Sequence, residues 1–119
     1  MKLEDLEIYK LSIEIGEKVW GIVEGWDYLP KKTIGLQLIR AADSIAANIS
    51  EGFGRFHYKE AKQFSYYARG SMFETKTWLT KANKRRLLEN DEFVLIINKI
   101  DGLGVKLNNY IKSIGRNNK

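Results

Sequence analysis

The amino-acid sequence predicts an all-α protein, an antiparallel four-helix bundle with up-down-up-down connections. Apolar residues recur at steps of three and four along four long stretches, and this is the period of an α-helix. No stretch alternates with the period of two that is typical of strands. The length of 119 residues is typical of one domain. We therefore expect a single bundle domain over residues 1–119.

The first two helices are expected over residues 5–23 and 31–52. Pro30 marks the start of the second helix, because a proline at the first helical position removes only an N–H that would be unpaired there. Gly52 and Gly54 provide the permissive backbone that ends it. The predicted inward positions are Leu6, Tyr9, Ile13, Gly16, Trp20 and Val23, then Leu36, Ile39, Ala42, Ala46 and Ile49.

The third and fourth helices are expected over residues 58–82 and 91–113, with residues 115–119 frayed. Asn90 is the predicted N-cap of the fourth helix, and Asp91 and Glu92 suit its positive N-terminal end. The predicted inward positions are Ala61, Phe64, Ala68, Met72, Thr75, Trp78 and Leu79, then Phe93, Ile96, Ile97, Ile100, Leu107, Tyr110 and Ile114.

The charge of the chain is unevenly distributed. Residues 1–30 carry three basic and seven acidic side chains, whereas residues 61–90 carry seven basic and two acidic ones. Such asymmetry indicates a basic face that attracts polyanions, or complementary charges between subunits, and the two are compatible. The sequence has no cysteine, no apolar run long enough to span a bilayer, and an acidic start unlike a signal peptide. We expect a cytoplasmic protein without a membrane segment.

Few residues offer catalytic or metal-binding chemistry. His57 is the single histidine, and with Glu60 it supplies one pair of metal ligands, but a metal site in a bundle needs further carboxylates and a second such pair. We interpret His57 as a surface residue. Gly52 and Gly54 lack the third glycine of a dinucleotide-binding loop, and no nucleophile elbow or Walker motif is present. The sequence predicts no enzyme, no metal and no cofactor.

A polar row runs along the second helix. Its members share one face because they step by three or four, and Glu74 lies beside the inward stripe of the third helix. Such a row is typical of an active site, a ligand groove, or a buried network that fixes helix register. We predict the buried network, because small alanines flank the row and buried polar groups must be paired. The predicted structural polar network is Arg40, Ser44, Asn48, Glu51 and Glu74, with Gln37 beside it.

Two basic clusters are candidate nucleic-acid contacts. In residues 53–59 aromatic side chains alternate with cations, a mixture that stacks on bases and holds phosphates. Alternatively, Phe53 and Phe56 close the end of the bundle, which is the interpretation we favour for them. A denser run lies at the end of the third helix, where cations also suit the helix dipole. The candidate residues are Arg55, Lys59, Lys81, Lys84, Arg85 and Arg86.

The segment from Gln37 to Arg55 reads QLIRAADSIAANISEGFGR. It resembles the central motif of the 23S rRNA intervening-sequence protein family, QxxRAxxSIxxNIxEGxGR, and meets each fixed position. Similarity to the family continues through residues 59–60, 64 and 68–74, and through 6–10 and 29–30. Two positions depart from the family pattern: Ala46 stands where proline is frequent, and residues 31–33 lack the frequent acidic residue.

The resemblance implies a bacterial four-helix protein without enzymatic activity. Relatives of this fold form ring-shaped homopentamers, and a distant relative, the accessory protein of diversity-generating retroelements, is basic and works with a reverse transcriptase and nucleic acid. The first hypothesis is a basic homo-oligomer that binds RNA or an RNA–protein complex. The second is an adaptor bundle for protein assembly with no nucleic-acid role. A third, an enzyme using the polar row, has the least support.

Overall fold

The computed structural model describes residues 1–115. Four helices account for most of these residues, namely α1 (Glu7–Glu24), α2 (Leu36–Phe53), α3 (Tyr58–Lys84) and α4 (Asn90–Ser113). Residues 1–115 contain no strand, so the all-α prediction is confirmed. Fraying is expected for residues 115–119. Gly115 lies in a turn with φ of 73°, and residues 116–119 lie outside the described part of the chain.

The helices follow one another around the bundle in chain order, with α2 between α1 and α3 and with α4 closing back onto α1. The α3–α4 pair shows the antiparallel register directly, because Arg69 Nη1 donates to Asn108 Oδ1 at 3.0 Å and Lys76 Nζ to Asp101 Oδ1 at 2.6 Å. The bundle measures 52 × 23 × 21 Å. Its long dimension leaves each helix with an extended outer face.

The entry into α2 begins earlier than predicted. A helical turn at Tyr28–Pro30 leads into a π-helical segment, Lys31–Gly35, and then into α2. Pro30 is thus the third residue of the helical run, where it still removes no hydrogen bond because the first N–H groups of a helix have no partner within it. A Cβ on Gly35 would lie 2.7 Å from Val23 Cγ1. Glycine therefore permits this close approach to α1.

The core is aliphatic and runs the length of the bundle. Its fully buried side chains include Ile15 and Val19 of α1, Leu38 and Ile45 of α2, and Leu103 of α4. Buried polar groups are few, and each described one is paired. Ser12 shows how, because its hydroxyl donates to the carbonyl oxygen of Tyr9 at 2.7 Å.

The inward positions are correctly predicted for most of α3 and only in part for the other helices. On α1, Ile13 and Trp20 are wrong, since both are exposed while Ser12 is buried. Apolar residues are abundant on both sides of this helix, so the three-and-four spacing fits two faces equally well. On α2, Leu36 is likewise exposed. The missed buried positions are Ile8, Ile15 and Val19, then Leu38, Ala41 and Ile45, then Leu103 and Ile111.

Small residues bring the helices close at defined points. A Cβ on Gly52 would lie 3.0 Å from the carbonyl oxygen of Ala61 and 3.1 Å from Phe64 Cβ, so α2 and α3 nearly touch at this end.

Across α1 and α4, Lys99 Nζ donates to Glu14 Oε1 at 2.5 Å. That hydrogen bond and the charge of Lys99 lower the pKa of the Glu14 carboxyl.

Candidate nucleic-acid interface

The basic cluster at the end of α3 consists of Lys81, Lys84, Arg85 and Arg86. All four side chains are exposed, and none of them forms an ion pair with a described residue. Lys81 Nζ lies 5.7 Å from the ring centroid of Trp78, a cation–π contact that leaves its charge uncompensated. The cluster therefore presents unneutralised positive charge at one end of the bundle.

The backbone turns sharply at this cluster. Leu87 N–H donates to the carbonyl oxygen of Ala82 at 2.9 Å and Arg86 N–H to that of Asn83 at 3.1 Å. These two bonds form a Schellman motif, which ends a helix with one residue in the left-handed conformation. Arg86 is that residue, with φ of 60°. Glycine is the usual choice there, and another residue costs about 1 kcal/mol or more, so the chain keeps an arginine where folding favours glycine.

Side-chain hydrogen bonds from Trp26 and Asn83 stabilise the turn. Trp26 Nε1 donates to the carbonyl oxygen of Leu87 at 2.8 Å. Asn83 Nδ2 donates to the carbonyl oxygen of Leu88 at 3.0 Å and to Asn90 Oδ1 at 2.8 Å. The predicted N-cap is wrong, because Glu89 holds the cap position of α4 and Asn90 is its first residue. Asn90 accepts a bond from the preceding helix instead, which holds the two helix ends together.

The second candidate cluster, between α2 and α3, is largely neutralised. Arg55 forms ion pairs with Glu51 and with Glu60, the latter at 3.7 Å, and its guanidinium lies 4.6 Å from the ring centroid of Phe64. Lys59 is exposed and forms no ion pair within residues 1–115. We therefore expect Lys59 to bind phosphate more readily than Arg55 does.

The two phenylalanines of this loop differ in placement. Phe53 is half-buried and packs against the core, as predicted. Phe56 is 91% exposed and contacts the ring of His57 edge to face at 5.3 Å. The expectation that Phe56 closes the end of the bundle is therefore wrong. The loop turns this ring outward.

The predicted polar network is not formed within the described chain. Arg40, Glu51 and Glu74 are exposed, and Ser44 and Asn48 are half-buried. Their bonds are local to each helix: the Ser44 hydroxyl donates to the carbonyl oxygen of Arg40, Asn48 Nδ2 to that of Ser44, and Trp78 Nε1 to Glu74 Oε2 at 3.2 Å. The buried face of α2, which includes Ala41, Ile45 and Ile49, lies beside this row at about a quarter of a turn around the helix. The predicted burial of the row is therefore wrong for the described chain.

A third basic feature was missed in the sequence. The outer face of α3 carries a stripe whose members step by three and four. Lys76 is paired with Asp101, whereas the carboxylates of α3 itself, Glu60 and Glu74, contact Arg55 and Trp78 instead. The sequence does contain the signal, because these cations and aromatic residues recur at steps of three and four on the face of α3 away from its inward positions. Its members are Lys59, Lys62, Tyr66, Arg69, Phe73, Lys76, Thr80 and Lys84.

The stripe leads into the basic cluster at the end of the helix. A surface groove of about 500 Å³ follows the helix from Phe73 to Lys84. Lys84 belongs to both the stripe and the cluster, so the two make one continuous positive surface. The groove is lined by Phe73, Lys76, Thr77, Thr80, Lys81 and Lys84.

Two further groups in the described residues have shifted pKa values. Burial, together with the nearby charge of Glu17, raises the pKa of the Asp43 carboxyl, and burial raises the pKa of the Tyr110 hydroxyl. Within residues 1–115 no three His, Asp or Glu side chains are grouped to hold a metal ion. None of the described helices is both long and apolar enough to cross a membrane.

Comparison with known proteins identifies relatives by sequence and by fold. The sequence model of the 23S rRNA-intervening sequence proteins matches residues 4–109. A solved structure from Bacteroides thetaiotaomicron, described as a protein of unknown function from the S23 ribosomal protein family, superposes with a TM-score of 0.80 at 19% identity. The match covers 89% of this chain and 99% of that one. No curated protein matches the chain. The chain belongs to the 23S rRNA-intervening sequence protein family.

Proposed function

We propose that this protein is a non-enzymatic RNA-binding protein that acts as a basic homo-oligomer on RNA or an RNA–protein complex. One observation carries the proposal: the four cations at the end of α3 are exposed and have no acidic partner in residues 1–115. The conformation of Arg86 adds to it, because a costly backbone conformation retained for a charged side chain suggests that the charge is used. The family name directs the choice of polyanion to RNA.

Phosphate binding explains why such a cluster is useful. Each cation that contacts a phosphate releases condensed counterions, so affinity falls steeply as salt rises. Contacts of this kind are largely independent of base sequence. We expect Lys59 and the outer stripe of α3 to extend the cluster along the helix, and Arg55 to contribute least because Glu51 and Glu60 already neutralise it.

Self-association is supported by a different surface. Ile13 and Trp20 of α1 and Leu36 of α2 are exposed, Trp20 to 54%. Glu17 and Asp43 are exposed on the same two helices, and residues 1–30 carry seven acidic and three basic side chains where residues 61–90 carry two and seven. We propose that subunits associate through these oppositely charged surfaces, with a pentamer as the number that the family resemblance implies. Light scattering at low salt and micromolar concentration tests this, and a monomeric mass would contradict it.

Replacing the basic cluster tests RNA binding directly. Substituting Lys81, Lys84, Arg85 and Arg86 together by glutamine is expected to weaken binding to structured RNAs of different sequence alike. It should also reduce the slope of log affinity against log salt by up to about four, because each phosphate contact contributes about one. The measurement is fluorescence anisotropy of labelled RNA across a salt titration.

A matched control removes the same charge elsewhere. Lys10, Lys18, Lys31 and Lys32 are exposed residues of α1 and the entry to α2, and their replacement by glutamine gives the same net charge. This variant should keep most of the affinity and slope. Equal affinities of the parent and the cluster variant would refute the proposed site.

The adaptor hypothesis remains the second candidate, because the exposed apolar residues of α1 and α2 suit a protein partner as well as a second subunit. The two functions differ in their response to salt. Association driven by apolar burial is largely insensitive to salt, whereas association with phosphates weakens steeply. A protein that self-associates but shows no salt-dependent RNA binding would support the adaptor role.

A further inference from the structure

Two aromatic rings stand on the outer stripe of α3 without contributing to the core. Tyr66 is 45% exposed and Phe73 is 61% exposed. They are seven residues apart, so they share one face of the helix and lie about 10.5 Å apart along its axis. Apolar ring surface that stays in contact with water is unfavourable, and these two rings do not offset that cost by packing in the core. Their position is therefore better explained by a ligand than by folding.

Each of these rings has a cation beside it. The Arg69 guanidinium lies 4.8 Å from the ring centroid of Tyr66, and Lys76 Nζ lies 5.9 Å from that of Phe73. Arg69 donates to Asn108 Oδ1, a neutral group, and so keeps its full charge. Lys76 shares its charge with Asp101. A molecule that presents flat rings at intervals along an anionic chain matches this alternation.

The surface beside Phe73 has room for such a ring. A groove of about 220 Å³ lies between α3 and α4, and its lining combines the apolar Met72, Phe73 and Val105 with polar and charged side chains of both helices. A Cβ on Gly104 would lie 3.0 Å from Met72 Cε, so a larger residue there would crowd the floor of the groove. Phe73 lines both this groove and the groove at the end of α3, so it has groove surface on two sides.

The aromatic rings distinguish single strands from duplexes. In a double helix the base faces are stacked on one another and are out of reach, whereas unpaired bases stack readily on protein aromatics. We infer that the outer face of α3 binds single-stranded RNA, with Tyr66 and Phe73 stacking on unpaired bases and Lys62, Arg69 and Lys84 contacting the phosphates. This inference rests on the proposed RNA-binding function and specifies its substrate.

An abasic strand separates stacking from charge. We propose anisotropy measurements with an oligouridine of about 12 nucleotides, within the site sizes of single-strand binders, with the same backbone lacking bases, and with the duplex of the same length. The parent protein should bind oligouridine about tenfold or more tightly than the abasic strand, since stacking on one aromatic contributes that order of affinity.

Substitutions then assign the effect to the two rings. The double variant Tyr66→Ala, Phe73→Ala should bind oligouridine and the abasic strand equally, while its affinity for the duplex stays unchanged. Phe73→Trp, which keeps an aromatic ring, should preserve the preference for bases. Tyr28→Ala, at a ring that is 74% exposed and lies outside α3, serves as the matched control and should change nothing.

The outcomes separate this inference from the function on which it rests. If the parent protein binds the abasic strand as tightly as oligouridine, charge alone holds RNA, and the stacking role is wrong while the proposed function stands. Loss of duplex affinity in the double variant equal to the loss for oligouridine would also overturn the stacking role. If none of the three probes binds, both the inference and the proposed function are refuted.

Discussion

The outer faces of α2 and α3 carry rows with the same helical spacing but different chemistry. On α2, Ser44 and Asn48 donate to the backbone of their own helix, and Glu51 is paired with Arg55. On α3, cations alternate with exposed aromatic rings, and of the stripe only Lys76 has an acidic partner in the described structure. Ser44, Asn48 and Glu51 on α2 are thus bonded locally, whereas most cations of the α3 stripe have no acidic partner in residues 1–115.

The comparison shows that the spacing of residues identifies a helix face, whereas the pairing of their charges determines whether that face can bind a ligand. Both rows satisfy a three-and-four pattern, and the pattern alone favoured the α2 row as the notable one. The row on α2 is electrically neutral, because it holds one cation, Arg40, and one carboxylate, Glu51. The stripe on α3 retains several unneutralised cations, and this is the property that a polyanion recognises.

The largest expected effect concerns the contact that holds the two faces in place. Gly52→Val would force a branched side chain against the Ala61 carbonyl and Phe64. We expect the free energy of unfolding to fall by about 1–3 kcal/mol, as for other overpacked sites. Chemical denaturation measures it. In contrast, Gly70→Ala should stabilise by up to about 1 kcal/mol, because a Cβ there meets nothing within 4 Å and alanine is the better helix former.

A Gly52→Val protein that is as stable as the parent, or more stable, would show that helix propensity alone decides the effect of these substitutions. The close approach of α2 and α3 at Gly52 would then have no energetic role.

A smaller effect is expected at Arg86, where one substitution changes the charge and the backbone strain in opposite directions. Arg86→Gly should raise the free energy of unfolding by roughly 0.5–1 kcal/mol, because glycine adopts the left-handed conformation of this position without cost. The same variant should bind RNA less tightly, with a salt slope lower by about one. The measurements are chemical denaturation and anisotropy on one preparation.

Arg85→Gly is the matched control, since it removes the same charge at a φ of −88° that any residue adopts. It should weaken RNA binding similarly while slightly lowering stability. A stabilised Arg86→Gly protein with undiminished affinity would show that Arg86 does not contact phosphate.

The smallest effect is expected for two residues of the predicted polar network, Arg40 on α2 and Glu74 on α3. Arg40→Ala and Glu74→Ala each remove an exposed side chain without a partner in another described helix, so the free energy of unfolding should change by less than about 1 kcal/mol. A loss of about 3 kcal/mol or more, typical of breaking a buried pair, would show that a second subunit buries these residues. Light scattering on the same variants reports whether assembly changes.

The sequence by itself determined the number of helices, their approximate limits and most of the inward face of α3. These features depend on local properties, namely the spacing of apolar residues, the glycines after α2 and the proline before it. The predictions were best on α3, where small residues and one methionine mark a single narrow inward stripe. They were poorest on α1, where isoleucine, leucine and tryptophan occur around much of the helix.

Only the tertiary structure decided which of two apolar phases of α1 faces the core, and that the polar row of α2 faces outward. Both depend on the rotation of a helix about its axis, which is set by packing against its neighbours rather than by its own residues. Likewise, the charges of Arg55 and Arg86 are equal in the sequence. The pair of Arg55 with Glu51 spans four residues and follows from helical spacing alone. The approach of Glu60 to the same guanidinium and the exposure of Arg86 on a left-handed turn depend on how the two loops fold.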